Sequence, residues 1–151
     1  MGFQGVYYNS IDAKGRASIP ARFREQLKEL FDTEVLVVTQ DRSGIVAYPV
    51  PEWERFLEKF AQLPNDQFRE DLYFTTITPA THCTFDKQGR IQLPQSLREY
   101  CQLDTDGVRD VVVVGGSKKI QIWNKLRYLE MIAEAEQRLA DNRQKRFDLG
   151  L

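Results

Sequence analysis

The feature that most constrains this chain is that it is written twice. Residues 11–25 read IDAKGRASIPARFRE and residues 85–99 read FDKQGRIQLPQSLRE. A shift of 74 positions superposes Asp12 on Asp86, Gly15 on Gly89, Arg16 on Arg90, Pro20 on Pro94, and Arg24-Glu25 on Arg98-Glu99. With small insertions the correspondence continues: Val35–Val38 answers Val111–Val114, Tyr48 answers Trp123, and Trp53 falls opposite Tyr128. An ordered duplication fixes architecture before any local assignment, because each copy is one supersecondary unit that buries its apolar face against its neighbour.

Each copy predicts the same elements. A strand (about 5–10, and 81–85) reaches a tight Asp-x-x-Gly turn, where Gly15 or Gly89 takes the positive φ that a hairpin turn demands. A second strand follows, with Ala17 and Ile19, or Ile91 and Leu93, alternating as on a half-buried strand. Pro20 or Pro94 then stops the ladder and suits a helix start. Phe23, Leu27, Leu30 and Phe31 form one face of the first helix, and Leu97, Tyr100 and Cys101 mark its counterpart. A buried strand, a turn and a last strand complete each copy.

The segments between and after the copies read as helices. Trp53, Phe56, Leu57, Phe60 and Ala61 make an apolar stripe entered at Pro51-Glu52. Leu126, Leu129, Ile132 and Leu139 mark a longer helix running toward Arg146, more than one small core needs and therefore solvated or used between subunits. The expected division is a first half at 5–50, a helical linker at 51–78, a second half at 79–124, and a C-terminal helix and tail at 125–151.

Composition narrows the function classes. A 151-residue chain with 42% apolar and 28% charged residues is that of a folded domain rather than a disordered segment. Met1 to Asn9 lacks the basic start and apolar run of a secretory signal, and the longest aliphatic cluster, Val111–Val114, is far short of a bilayer span. The expectation is a cytoplasmic protein with no membrane association. Cys83, Cys101 and the single His82 have no metal-ligand spacing, so no metal and no cofactor is expected. With no Gly-rich phosphate cradle and no Ser-centred elbow, the chain does not read as an enzyme.

The formal net charge of −1 gives no global basic signature, so any nucleic-acid contact must be local. From Asp12 to Lys28, five basic residues (Lys14, Arg16, Arg22, Arg24, Lys28) stand against two acids, a net of +3. From Asp86 to Gln102, three basic residues (Lys87, Arg90, Arg98) stand against two acids, a net of +1, whereas Pro51–Leu72 has a net of −3. Positive potential therefore concentrates on the repeated motif, chiefly its first copy.

These residues resemble the MraZ family, whose mark is a duplicated Asp-x-x-x-Arg element. Asp12-Ala13-Lys14-Gly15-Arg16 and Asp86-Lys87-Gln88-Gly89-Arg90 both match it, and the similarity spans about residues 2–130, including Ile19-Pro20 and Glu52-Trp53. The resemblance implies an α+β fold of two tandem pseudo-symmetric AbrB-like β-rich half-domains, as a swapped-hairpin β-barrel with flanking helices. It also implies a ring-like homo-oligomer that regulates, as a repressor, repeated promoter elements of the division and cell-wall gene cluster, and hence nucleoid association. Two departures stand out: Gln4 occupies a position that is often Arg in the family, and the linker Asn65–Leu72 is not arginine-rich.

On double-stranded DNA, phosphate contacts would supply affinity and orientation while arginine reads guanine edges. Lys14, Arg16, Arg22 and Arg24 are the expected main contacts and Lys87 and Arg90 the secondary ones, with Asp12, Gly15, Asp86 and Gly89 bracing the turns. The bland alternatives are a structural Asp–Arg ion pair at each turn and a solvated helix face for Arg22 and Arg24. The competing functions are an AbrB-like antitoxin or transition-state regulator, which usually carries one half-domain, and a non-catalytic structural oligomer.

Overall fold

Pro20, Pro49 and Pro94 each stand directly before a helix in an extended conformation, with ψ of 139°, 143° and 145°. Each therefore ends a β segment and starts a helix, as a residue with fixed φ and no ladder N–H should. The computed structural model describes residues 2–104 and 107–151. In chain order its elements are β1 (Phe3–Ser10), β2 (Arg16–Ser18), α1 (Ala21–Phe31), β3 (Val35–Asp41), β4 (Gly44–Pro49), α2 (Val50–Ala61) and α3 (Gln67–Leu72). A π-helical turn (Tyr73–Ile77) leads to β5 (Thr81–Thr84), β6 (Arg90–Gln92), α4 (Gln95–Tyr100), β7 (Asp110–Ser117), β8 (Ile120–Asn124), α5 (Lys125–Ala140) and α6 (Arg143–Asp148).

The main sheet has six strands in the order β1-β7-β8-β4-β3-β5, with every pairing antiparallel. Exchanging each strand for its repeat equivalent (β1 with β5, β3 with β7, β4 with β8) returns the same order reversed, so a pseudo-twofold axis passes between β4 and β8. At that seam Val46 faces Gln121, its own repeat equivalent, flanked by the pairs Ile45–Ile122 and Ala47–Ile120. The remaining strands, β2 and β6, pair only with each other, and Ala17 faces its equivalent Ile91. The axis therefore runs through this ribbon as well.

This arrangement corrects the expected hairpin. β1 and β2 share a turn but not a ladder: β1 pairs with β7 and β2 with β6, both from the other repeat. The turn instead carries the chain from the large sheet into the ribbon. The expected barrel is also absent among the described residues, because the six-stranded sheet is open with β1 and β5 at its edges. Its inner face is closed by the ribbon and by α1 and α4. Ala17, Ile91, Phe23, Leu27 and Leu97 pack there with Leu36, Val38, Ile45, Val111, Val113, Ile120 and Ile122 in one core.

The opposite face carries α2 and α5. Trp123, Val112 and Tyr128 form a second cluster under α5, and Trp53 and Phe60 are the buried residues of α2, while Ala61 at its end is exposed. Aromatic contacts run along α2 from Trp53 through Phe56 to Phe60 and on to Tyr73. Three local expectations are adjusted. Leu30, counted on the inner face of α1, is 45% exposed, and Phe31 covers the core edge instead by stacking on Phe3. Tyr100 of α4 is on the surface, where its hydroxyl accepts a hydrogen bond from the Ser43 N–H at 2.9 Å. The long C-terminal helix stops at Ala140 and restarts at Arg143.

Phe23 is fully enclosed and makes edge contacts with Phe3 and Tyr7. Phe23→Ala is expected to cost about 3–5 kcal/mol in denaturant unfolding, whereas Leu30→Ala at the exposed position of the same helix should stay within about 0.5 kcal/mol of wild type.

Candidate nucleic-acid interface

Each repeat builds its turn around one carboxylate. Asp12 Oδ1 accepts hydrogen bonds from the backbone N–H of Lys14 at 3.0 Å and of Arg16 at 2.8 Å, while Oδ2 accepts from Arg16 Nε at 2.6 Å. Asp86 does the same with Gln88 N–H at 2.9 Å, Arg90 N–H at 3.0 Å and Arg90 Nε at 2.9 Å. Asp is suited to this position because its short side chain reaches backbone donors two residues on. The chain closes when Gly15 N–H donates to the Asp12 carbonyl and Gly89 N–H to the Asp86 carbonyl. Both glycines are left-handed, at φ of 80° and 76°, which a residue with a Cβ adopts only with strain.

Three donors converging on one carboxylate favour its ionised form. Asp12 is held below the ordinary carboxylate range chiefly by the Arg16 backbone N–H, against the opposing effect of burial, with smaller lowering effects from the Arg16 side chain and the Lys14 backbone N–H. Asp86 is lowered first by the Arg90 backbone N–H, again against burial.

The two turns lie side by side. Arg90 Nη1 reaches across to Asp12 Oδ2 at 3.3 Å, and Gln92 Nε2 donates to the Lys14 carbonyl at 2.6 Å. Backbone bonds join the same places: Ile19 N–H donates to the Gly89 carbonyl at 3.1 Å and Leu93 N–H to the Gly15 carbonyl at 3.0 Å. Lys14 and Lys87 stand exposed at the two apices. Arg16 and Arg90 are partly covered, with side chains 32% and 23% exposed, each committing Nε to its own aspartate. Among the described residues, the Nη nitrogens of Arg16 have no hydrogen-bonded partner.

The other cations fall into two groups. Arg22 is exposed on the first turn of α1. Arg24 is half-buried, donates from Nε to the Ile19 carbonyl at 3.1 Å, and lies over Gly89 of the other repeat. Its equivalent Arg98 donates from Nη1 to the Leu93 carbonyl and lies over Gly15. Residue patterns alone place Arg98 in the repeat alignment and the charge count but not among the site residues, and they pass over Gln92. The repeat equivalence of Arg24 and Arg98 is the signal that the two share a role, whereas Gln92 corresponds to Ser18 and carries none.

The remaining reactive side chains lie elsewhere. Cys83 and Cys101 are buried free thiols, both pushed up to about 11 by burial, which keeps them in the neutral form. His82 is an exposed strand residue of β5. Among the described residues, no group of three or more His, Cys, Asp and Glu is placed to hold a metal ion, and no helix is long and apolar enough to cross a membrane.

The pair of turns is matched by a pair of family assignments. The family described as "MraZ protein, putative antitoxin-like" matches residues 3–73 and again residues 76–150, one match for each repeat. The chain belongs to the MraZ family. It is 46% identical over 150 residues to the transcriptional regulator MraZ of Syntrophotalea carbinolica, covering 99% of both chains. It is 38% identical over 151 residues to the proteins of the same name from Pediococcus pentosaceus and Desulfitobacterium hafniense, again over 99% of each chain.

The lowered carboxylates set an acid dependence. A group whose acidity is strengthened by folding contributes stability that is fully present above its unfolded-state value and is lost as pH falls through the lower, folded-state value. For Asp12 that loss lies below 3.8, the ordinary value for an aspartate. Asp12→Asn should therefore be less stable than wild type at neutral pH, and the gap should narrow as strongly acidic pH is approached, read as urea midpoints across the acid range.

Proposed function

We propose that this protein is a transcriptional regulator that grips double-stranded DNA with its two adjoining cationic turns. The observation that carries the reading is the placement of Lys14 and Arg16 beside Lys87 and Arg90, each arginine oriented by an aspartate through Nε. Such an arginine is held in one plane at little entropic cost, so its terminal nitrogens are preorganised for a phosphate or a guanine edge. The apical lysines supply point charges for the backbone, and exposed Arg22 extends the cationic surface along α1. Arg24, beside Gly89 of the second turn, completes the main contacts with DNA. Asp12, Asp86 and the two glycines touch no DNA and keep the turns in shape. No cofactor and no catalytic step enters this function.

The same proposal covers the finer architecture: each repeat acts as an AbrB-like half, at 5–50 and 79–124, and the exchange of β2 and β6 makes the halves a swapped-hairpin unit, with 51–78 as linker and 125–151 as C-terminal helix and tail. It also covers assembly into a ring-like homo-oligomer working at the nucleoid. Exposed apolar side chains support assembly: Val6 and Tyr8 on the edge strand β1, and Leu126, Leu129 and Leu139 on α5. Turns repeated around one rim would engage tandem promoter elements together, so a weak grip per subunit suffices and avidity does the rest. Bound tandem elements upstream of a division and cell-wall cluster would then be repressed by occupancy.

The test is fluorescence anisotropy with a duplex from upstream of the protein's own gene and a scrambled duplex, over a range of salt. Affinity should fall steeply with salt and favour the upstream duplex. Arg16→Ala should weaken binding and make the slope of log affinity against log salt shallower, by about 0.9 for every phosphate that the side chain neutralises across the engaged subunits. Wild-type protein that binds neither duplex at low salt would remove the proposal.

A further inference from the structure

The two turn glycines are covered, and what covers each comes from the other repeat. A Cβ built on Gly15 falls 2.5 Å from Arg98 Cζ, and one built on Gly89 falls 2.5 Å from Arg24 Cζ. Glycine is therefore favoured by its positive φ, and any side chain put in its place would also have to displace the guanidinium that covers it. The same glycine presents its carbonyl to a backbone N–H of the repeat that supplies the arginine, Gly15 to Leu93 and Gly89 to Ile19. Each arginine is tethered next to that junction, Arg98 to the carbonyl of Leu93 and Arg24 to the carbonyl of Ile19. Carbonyl, N–H, glycine and guanidinium thus form one closed contact, made twice.

We infer that Arg24 and Arg98 are positioning residues exchanged between the repeats, each guanidinium pinning the DNA-gripping turn of the half to which it does not belong. This rests on the DNA-binding reading of the turns and changes the part played by Arg24 in it, from contacting DNA to holding Gly89. Arg98 fixes Gly15 and through it Lys14 and Arg16; Arg24 fixes Gly89 and through it Lys87 and Arg90. A point contact with phosphate needs only the charge, which lysine also carries. A cover for a glycine needs the flat guanidinium, which an ammonium does not reproduce. Arg98 Nε is buried without a hydrogen-bond partner, so packing on the turn, and not a full set of its own hydrogen bonds, holds this side chain in place.

The exchange also explains why two copies in one chain are useful. Neither turn is complete with only the residues of its own repeat, so the two grips form together.

The experiment uses the full-length protein with Arg24→Lys and Arg98→Lys, either of which suffices should the other fail to fold. Amide NMR without DNA is the first readout. Arg98→Lys should shift the resonances of residues 14–16 and speed hydrogen exchange at Leu93 N–H, leaving residues 87–90 near their wild-type positions. Arg24→Lys should do the converse at residues 88–90 and Ile19 N–H. Shifts confined to the repeat that carries the substitution would overturn the inference, whether or not the protein binds DNA. The second readout is affinity for the upstream duplex. Arg24→Lys should weaken binding about tenfold, the size of one displaced base or phosphate contact, and should add little to Arg90→Ala in the double variant, since both act on one turn. Retained affinity in Arg24→Lys, or full additivity with Arg90→Ala, would make Arg24 a direct contact and overturn its positioning role. Absence of all duplex binding in wild type removes the DNA reading alone and leaves the cross-repeat shifts to decide the clamp.

Discussion

The antiparallel pairing of β2 with β6 is the interaction on which the rest of the molecule depends. Each strand is only three residues long and has no other partner among the described residues, and a two-stranded ribbon of that length is not stable by itself in water. It persists because its inner side chains, Ala17 and Ile91, complete the same core that the large sheet, α1 and α4 share. The ribbon in turn puts Arg16 opposite Gln92 and Ser18 opposite Arg90, which draws the two turns together. Breaking the pairing would open the core and separate the turns in one event.

The turns show how a chain of nearly neutral charge brings cationic side chains of both repeats together. Surface ion pairs contribute little stability in themselves, about 0–1 kcal/mol, so the Asp–Arg pairs matter more as geometry than as energy. One carboxylate organises two backbone N–H groups and one guanidinium Nε, which orients the arginine and, at Arg16, leaves the terminal nitrogens without a partner among the described residues. The second turn differs, since Arg90 also reaches Asp12 and is more covered than Arg16. The first turn is therefore the freer cation and also the one with the larger local excess of positive charge.

Much of this is legible in the residue order because duplication is a property of that order. The glycines at 15 and 89 mark positive φ, the prolines at 20 and 94 mark the strand-to-helix switch, and the alternation of Ala17 with Ile19 marks a half-buried strand. All three are local signals, carried by backbone chemistry within a few residues. The hairpin expectation fails for a physical reason: the turn residues specify that the chain reverses, but a strand's ladder goes to whichever partner buries its face best, and for β1 that is β7. Leu30 likewise fits the helical period, yet the core ends at Phe31 stacking on Phe3. A periodicity gives the facing of a side chain but not how far the neighbouring layer extends.

By itself, then, the order of residues determined that there are two equivalent units, where each turns, and that the cations gather at those turns. Only the tertiary structure decided that the units interleave, that Arg24 and Arg98 lie across each other's glycines, and that Gln92 reaches Lys14, a partner 78 positions away. The free energy of such contacts comes from closing a shared core. No local propensity encodes a partner at that separation, so it becomes visible only when both copies are folded against each other.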